Sequence, residues 1–277
     1  MKGKIYTVRV GSLVVGLKQP LVLISGPCVI DSERECFQVA EAVAAICEKK
    51  GIGYVFKASY DKANRSSIHS YRGPGLKRGL KILKHIKDTL GIPILTDVHQ
   101  VEEVKVTAEV ADILQIPAFL CRQTDLLCAA ARTQRVVNVK KGQFISPQEV
   151  KNIIEKIESC RNHRILITER GALFGYQNLV VDMRSFPILR QYGYPVIFDA
   201  THSVQRPGAG GDRSSGDREY IPVLVRAAAG AGIDGLFMEV LFQPAKSKSD
   251  AGNIFPINQL ERLLDQVIRI HQVYQGL

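Results

Sequence analysis

A chain of 277 residues with 45% apolar and 23% charged residues can bury a large core, enough for one barrel or two small domains. Its net charge of +10 comes from 37 basic against 27 acidic residues that are dispersed along the chain, and with no tryptophan to stack on bases this favours anionic metabolites over nucleic acid. No apolar run approaches the roughly 18 residues of a membrane span, Met1 to Gly16 has no signal-like apolar stretch, and the six cysteines form no Cys-x-x-Cys pair, so the expectation is a cytoplasmic protein without a zinc ribbon or disulfide framework.

In chain order, Lys4–Val15 alternates as a hairpin does, with Gly11-Ser12 as its turn. Short runs rich in Val, Ile, Leu and Phe then predict strands at Leu21–Ser25, Tyr54–Ala58, Ile94–Asp97, Ile113–Ile116, Val136–Lys140, Ile165–Glu169, Val196–Asp199 and Gly235–Glu239. Amphipathic stretches predict helices at Ser32–Lys50, Leu76–Leu90, Val101–Val110, Thr124–Thr133, Pro147–Glu158, Asp182–Gln191, Tyr220–Ala231 and Asn258–Tyr274. Ser32 and Ser146 read as N-caps with Glu35 and Glu149 as capping-box partners, and Gly91 as a C-terminal stop. Cys36 and Cys47, 11 residues apart, fall on one buried helix face.

Eight near-continuous apolar strands alternating with eight helices specify an α/β protein, a single (β/α)8 TIM barrel over residues 1–277, with residues 1–16 as an N-terminal hairpin cap. A doubly wound sheet would place a glycine-rich turn after its first strand, where this chain has Gly26-Pro27-Cys28. The aperiodic Arg206–Arg218 segment predicts a long mobile loop, placed as a lid would be.

Reactive side chains recur at the C-terminal ends of the predicted strands: Cys28, Lys57, Asp97 with His99, Gln115, Lys140, Glu169 with Arg170, Asp199 with His202, and Glu239. In a barrel these ends form one mouth, where barrel enzymes keep their chemistry. Lys57, Lys62, Lys140 and Arg170, joined by Arg65, would repel one another unless a ligand supplied several phosphate or carboxylate groups. Strands one, seven and eight become neighbours on closure, so Cys28, His202 and Glu239, with Asp250 from the following loop, form a candidate site for a divalent metal. Sulfur, imidazole and carboxylate together suit Zn(II), Fe(II) or Mn(II) better than Mg(II) or Ca(II). Each of these residues alone would more often be structural; the set is the signal.

Several segments closely resemble the 3-deoxy-manno-octulosonate 8-phosphate synthase family: Gly26-Pro27-Cys28, Phe56-Lys57 to Ser67, Gln115 to Asp125, Asn138 to Gln143, Thr168-Glu169-Arg170-Gly171 and Phe198 to Ser203. The resemblance implies a homotetramer that joins phosphoenolpyruvate, arabinose 5-phosphate and water, for lipopolysaccharide biosynthesis. It implies Lys57, Lys62, Gln115, Lys140, Arg170 and the backbone at Ala118 as phosphoenolpyruvate contacts, and Asn64, Arg65 and Ser66 as pentose-phosphate contacts. Lys57, Lys62, Asp97, His99 and His202 stand as the candidate catalytic side chains. The resemblance also implies a metal-dependent branch, since Cys28 stands where a metal-free branch has Asn. Where the family has His-Pro two residues after the strand-eight glutamate, this chain has Leu241-Phe242, which puts any contact made by that pair in question. Rival readings are the sister synthase using erythrose 4-phosphate, whose loop carries Lys-Pro-Arg-Thr-Ser, a Schiff-base aldolase through Lys57 or Lys140, and a nucleic-acid binder.

Overall fold

A computed structural model describes residues 4–65, 67–207 and 215–276. A hairpin of β1 (Val8–Val10) and β2 (Leu13–Val15) leads into β3 (Val22–Gly26), α1 (Glu33–Lys50), β4 (Gly53–Lys57), α2 (Leu76–Leu90), β5 (Ile94–Asp97), α3 (Val101–Val110) and β6 (Ile113–Ile116). Then follow α4 (Thr124–Arg132), β7 (Val136–Lys140), α5 (Val150–Glu158), β8 (Ile165–Glu169), the two-residue strands β9 (Ala172–Leu173) and β10 (Leu179–Val180), α6 (Ser185–Arg190) and β11 (Val196–Asp199). The chain ends with β12 (Gln205–Arg206), β13 (Ser215–Gly216), α7 (Ile221–Ala231), β14 (Gly235–Leu241), β15 (Phe255–Pro256) and α8 (Ile257–Gln275).

Strands β3, β4, β5, β6, β7, β8, β11 and β14 are parallel neighbours in that order, and β14 pairs back onto β3, which closes the predicted barrel. Closure works because each strand feeds two cores. Leu23, Phe56 and Phe198 pack outward under the helices. Val22, Val55, Leu95, Ile113, Leu166, Ile197 and Phe237 point inward, where the hairpin's Val8, Val10 and Val15 join them. The hairpin pairs Val8 with Val15 around Gly11-Ser12 and is the expected cap. Helix α5 illustrates the outer layer: Val150, Ile153, Ile154 and Ile157 bury one stripe. Among the described residues no helix is long and apolar enough to cross a membrane.

Local signals hold at several ends. Ser32 Oγ accepts from Glu35 N, both halves of the capping box form at Ser146 and Glu149, and Gly91 closes α2 in the left-handed region at φ 65°. Cys36 and Cys47 are both buried on α1. Several expected boundaries shift, among them the first two barrel strands by one residue and the fifth helix, whose first turn Pro147–Glu149 is a 3-10 turn; three changes have a visible cause. Helix α6 starts at Ser185 rather than Asp182, because the Asp182 side chain accepts from Arg184 N and its guanidinium and so makes a turn instead of a helical start. Strand β14 runs on to Leu241 because β15 pairs beside Val240 and Leu241. The loop expected at Arg206–Arg218 has an ordered base, where Gln205 and Arg206 pair with Gly216 and Ser215 and Arg206 bonds Asp217; its residues 208–214 lie outside the described ones.

Candidate active site

The inward pleat that supplies the lower core continues upward into chemistry. Two residues above an apolar inner residue stands a polar one: Val55 gives way to Lys57, Leu95 to Asp97, Ile113 to Gln115, Ile197 to Asp199 and Phe237 to Glu239. Above Val136 come Asn138 and Lys140, above Leu166 come Thr168 and Arg170, and above Val22 and Ile24 the same face reaches Gly26 and Cys28. The seal below and the polar layer above make a cavity of about 240 Å³. Lys57, Lys62, Asn64, Arg65, Asp97, His99, Gln115, Ala118, Lys140, Arg170, His202 and Asp250 all line it. Ser66 lies outside the described residues. Cys28 and Glu239 sit buried just behind the wall.

One member of the expected ring faces elsewhere. Glu169 has the opposite pleat parity to Thr168 and Arg170, and its Oε1 accepts from the backbone N–H groups of Arg170 at 2.9 Å and Gly171 at 2.7 Å, with Lys141 Nζ 3.5 Å away. It holds the strand end rather than lining the cavity. Leu241 is buried in the outer core and Phe242 lies outside against α1, so the departure from the His-Pro pattern does not reach the cavity wall.

The cations do not stand bare, as the sequence suggested. Lys57 Nζ donates to Glu239 Oε1 at 2.6 Å and to Cys28 O at 2.9 Å; Lys62 lies 3.8 Å from the same carboxylate; Arg65 Nη1 lies 3.7 Å from Asp250; Lys140 donates to Asp199. Burial opposes ionisation of these acids, but the cations win: Lys57, His202 and Lys62 hold Glu239 down at about 2, while Lys62, Lys57 and His99 hold Asp97, His202 and Lys140 hold Asp199, and His202, Lys62 and Arg65 hold Asp250, well below the carboxylate range. Burial lowers Lys140 to about 8 against the pull of Asp199, and its Nζ sits 3.3 Å above the Phe237 ring centroid. Arg170 is the exception: it bonds Gln205 Oε1 at 2.6 Å and His202 O at 3.2 Å, yet its buried Nη1 finds no partner among the described residues. A buried guanidinium N–H without an acceptor is a receptor for an anion.

Cys28, Glu239 and Asp250 bring ligand atoms within 4.8 Å of one another, all buried. Cys28 Sγ is 2.9 Å from Asp250 Oδ2, and Glu239 Oε2 has no hydrogen-bond partner among the described residues. His202 reaches the trio from one side, its Nε2 3.6 Å from Glu239 Oε1 and outside the mutual 4.8 Å set, while its Nδ1 is 2.8 Å from Asp199 Oδ2. A carboxylate behind an imidazole is how metal-binding histidines are oriented. Burial, then Asp250 and Glu239, raise the Cys28 thiol well above its ordinary range, so the thiolate form awaits a cation. The donors and the unpartnered oxygen fit a divalent metal.

Sequence reasoning missed Ser249, which contacts Cys28 Sγ, Asp250 Oδ2 and Arg65, and Gln205, which ties Arg170 to Asp250 at 3.2 Å. It also missed Gln143 on the wall. Ser249 and Gln143 lie on loops and Gln205 on a two-residue strand, none with a readable periodicity; closeness to Asp250, His202 and Lys140 in the chain was the available signal.

The chain matches the sequence profile of the DAHP synthetase I family over residues 6–275. It is 57% identical over 255 residues to a protein of Pelobacter propionicus, covering 92% of this chain and 94% of that one. It is 54% identical over 266 residues to one of Geobacter sp. strain M21, with 96% and 97% covered, and 53% over 270 residues to one of Fusobacterium nucleatum, with 98% and 97% covered. All three relatives are named 2-dehydro-3-deoxyphosphooctonate aldolase. With the match running nearly end to end, the chain belongs to the DAHP synthetase I family and, within it, groups with the 2-dehydro-3-deoxyphosphooctonate aldolases.

Proposed function

We propose that the protein is a transferase that condenses phosphoenolpyruvate with arabinose 5-phosphate and water to give 3-deoxy-manno-octulosonate 8-phosphate and phosphate. The observation that carries this is the 53–57% identity, over nearly the whole chain, to proteins named for that product. The sister reaction with erythrose 4-phosphate has no such support.

C-3 of phosphoenolpyruvate bonds to the aldehyde carbon while water oxygen bonds to C-2; the aldehyde oxygen takes a proton, and the resulting hemiketal phosphate expels phosphate as its hydroxyl becomes the keto group. Arg170, with its open Nη1, Lys140, Lys57, Lys62 and Gln115 hold the carboxylate and phosphate of phosphoenolpyruvate, and Asn64 and Arg65 hold the pentose phosphate, with Ser66 joining them by resemblance to the family. Fixing both anions in one cavity contributes by positioning, an effect worth about 7–11 kcal/mol at its best. Asp97, His99 and His202, which line the same cavity, would orient water or the aldehyde oxygen. Cys28, Glu239, Asp250 and His202 would hold the metal. Bound there, Zn(II), Fe(II) or Mn(II) would supply a Lewis acid beside the aldehyde or the attacking water. A cytoplasmic homotetramer completes the reading. Incubation with both substrates should release one phosphate per molecule of an eight-carbon keto acid detected by mass spectrometry; phosphate release without that product would refute it.

A further inference from the structure

A buried polar belt runs across five neighbouring barrel positions, and only two of its members, Asp97 and Gln115, reach the cavity wall. Thr168 Oγ1 donates to Asn138 Oδ1 at 2.7 Å, and Asn138 Nδ2 donates to Gln115 Oε1 at 2.8 Å. Gln115 Nε2 donates to Asp97 Oδ1, and Ser59 Oγ donates to the other oxygen of Asp97. All five are buried, and register places Asp97 beside Gln115 and Gln115 beside Asn138.

The direction of this belt follows from chemistry rather than from how each amide is drawn. An ionised carboxylate only accepts. Asp97, with Lys57, Lys62 and His99 around it, is such a carboxylate, so Gln115 must turn its NH2 toward it. The Gln115 oxygen then faces Asn138, which must donate, and the Asn138 oxygen is left for the Thr168 hydroxyl. One charge thus sets the polarity of three side chains on three further strands. Gln115 gives one N–H to Asp97 and keeps its second donor for the cavity that it lines. With its oxygen released from Asn138, the amide keeps only its bond to Asp97 as an anchor, so its plane can swing about that bond and its second N–H loses its aim into the cavity.

We infer that Asn138 and Thr168, neither of which lines the cavity, are positioning residues that lock the Gln115 amide with a donor facing the anionic substrate. This rests on the reading of Gln115 as a phosphoenolpyruvate contact. Asn138→Leu removes the donor to Gln115 while keeping the γ-branched shape, though at greater volume, and it should raise KM for phosphoenolpyruvate about 10- to 100-fold, the range for a lost hydrogen bond to a charged group. Turnover at saturation and KM for the pentose phosphate should stay within about threefold, because only one substrate's contact is disturbed. Thr168→Val should act in the same sense but more weakly, and Thr168→Ser, which keeps the hydroxyl, should behave as the parent protein. In a Gln115→Ala background each substitution should add less than about twofold, since residues acting through a third lose their effect with it.

Equal effects with and without Gln115, or an equal rise in both KM values, would overturn the inference. Should Asn138→Leu fail to fold, the Thr168 pair still decides. A neutron structure of the unliganded protein reads the amides without activity. Gln115 Nε2 toward Asp97, in a protein that does not consume phosphoenolpyruvate, would sink the proposed function and leave the belt standing; Oε1 toward Asp97 would sink the belt.

Discussion

Lys57 is the most informative single perturbation, because it joins the anion site to the metal corner. Its Nζ, on a side chain 1% exposed, lies 2.6 Å from Glu239 Oε1. Lys57→Met keeps the stem and removes the charge. Glu239 is then left with one oxygen already unpartnered among the described residues and the other facing Lys62 at 3.8 Å and His202 at 3.6 Å. Removing one partner of a buried ion pair costs about 3–5 kcal/mol, and Lys62, still facing the carboxylate, argues for the lower figure. About 3 kcal/mol at about 2–4 °C per kcal/mol predicts a Tm about 6–12 °C lower in chelator, measured by calorimetry. A divalent ion brings positive charge to the same carboxylate, so Zn(II) at about 100 times its Kd should return about 2.7 kcal/mol. A Tm change below about 2 °C in chelator would refute the reasoning, since an uncompensated buried carboxylate cannot be that cheap.

Exhaustive chelation should abolish turnover of the parent protein and divalent ions should restore it, whereas Cys28→Asn should retain turnover without metal; an inactive but folded variant would count against the assignment of Cys28. Because burial lowers Lys140 to about 8, its ammonium is present below that pH and lost above it, so kcat/KM for phosphoenolpyruvate should be flat below about 8 and fall tenfold per unit above. Lys140→Arg should remove that alkaline limb, and a limb that stays would assign it elsewhere. Gly26 passes so close to β4 that an added Cβ would lie 2.1 Å from Lys57 O, so Gly26→Ala should cost at least about 1–3 kcal/mol in thermal unfolding and lower metal content together.

The barrel was legible because its strands are apolar on both faces and its helices on one, and five strands, such as Ile113–Ile116, match the expected ends. The short ladders were not, since pairing of Val240 with Phe255 or Gln205 with Gly216 depends on partners distant in sequence rather than on local pattern. Strand ends revealed the site because a strand that closes a barrel aims every second residue inward. The same pleat explains the miss at Glu169, where proximity to Arg170 suggested a shared face and parity gave opposite ones. The bare cluster of cations was misjudged for a related reason: Asp199 and Glu239 meet Lys140 and Lys57 only when the strands close into a barrel, and Asp250 meets Arg65 only when two loops come together above it.

The second substrate is what separates this protein from the sister synthase. Phosphate release from phosphoenolpyruvate, measured side by side with arabinose 5-phosphate and erythrose 4-phosphate in the presence of Mn(II), should give a kcat/KM at least about 100-fold higher for the five-carbon sugar, as expected when a site built to bond a substrate group meets an analogue lacking it. Equal values, or a preference for the four-carbon sugar, would contradict the account.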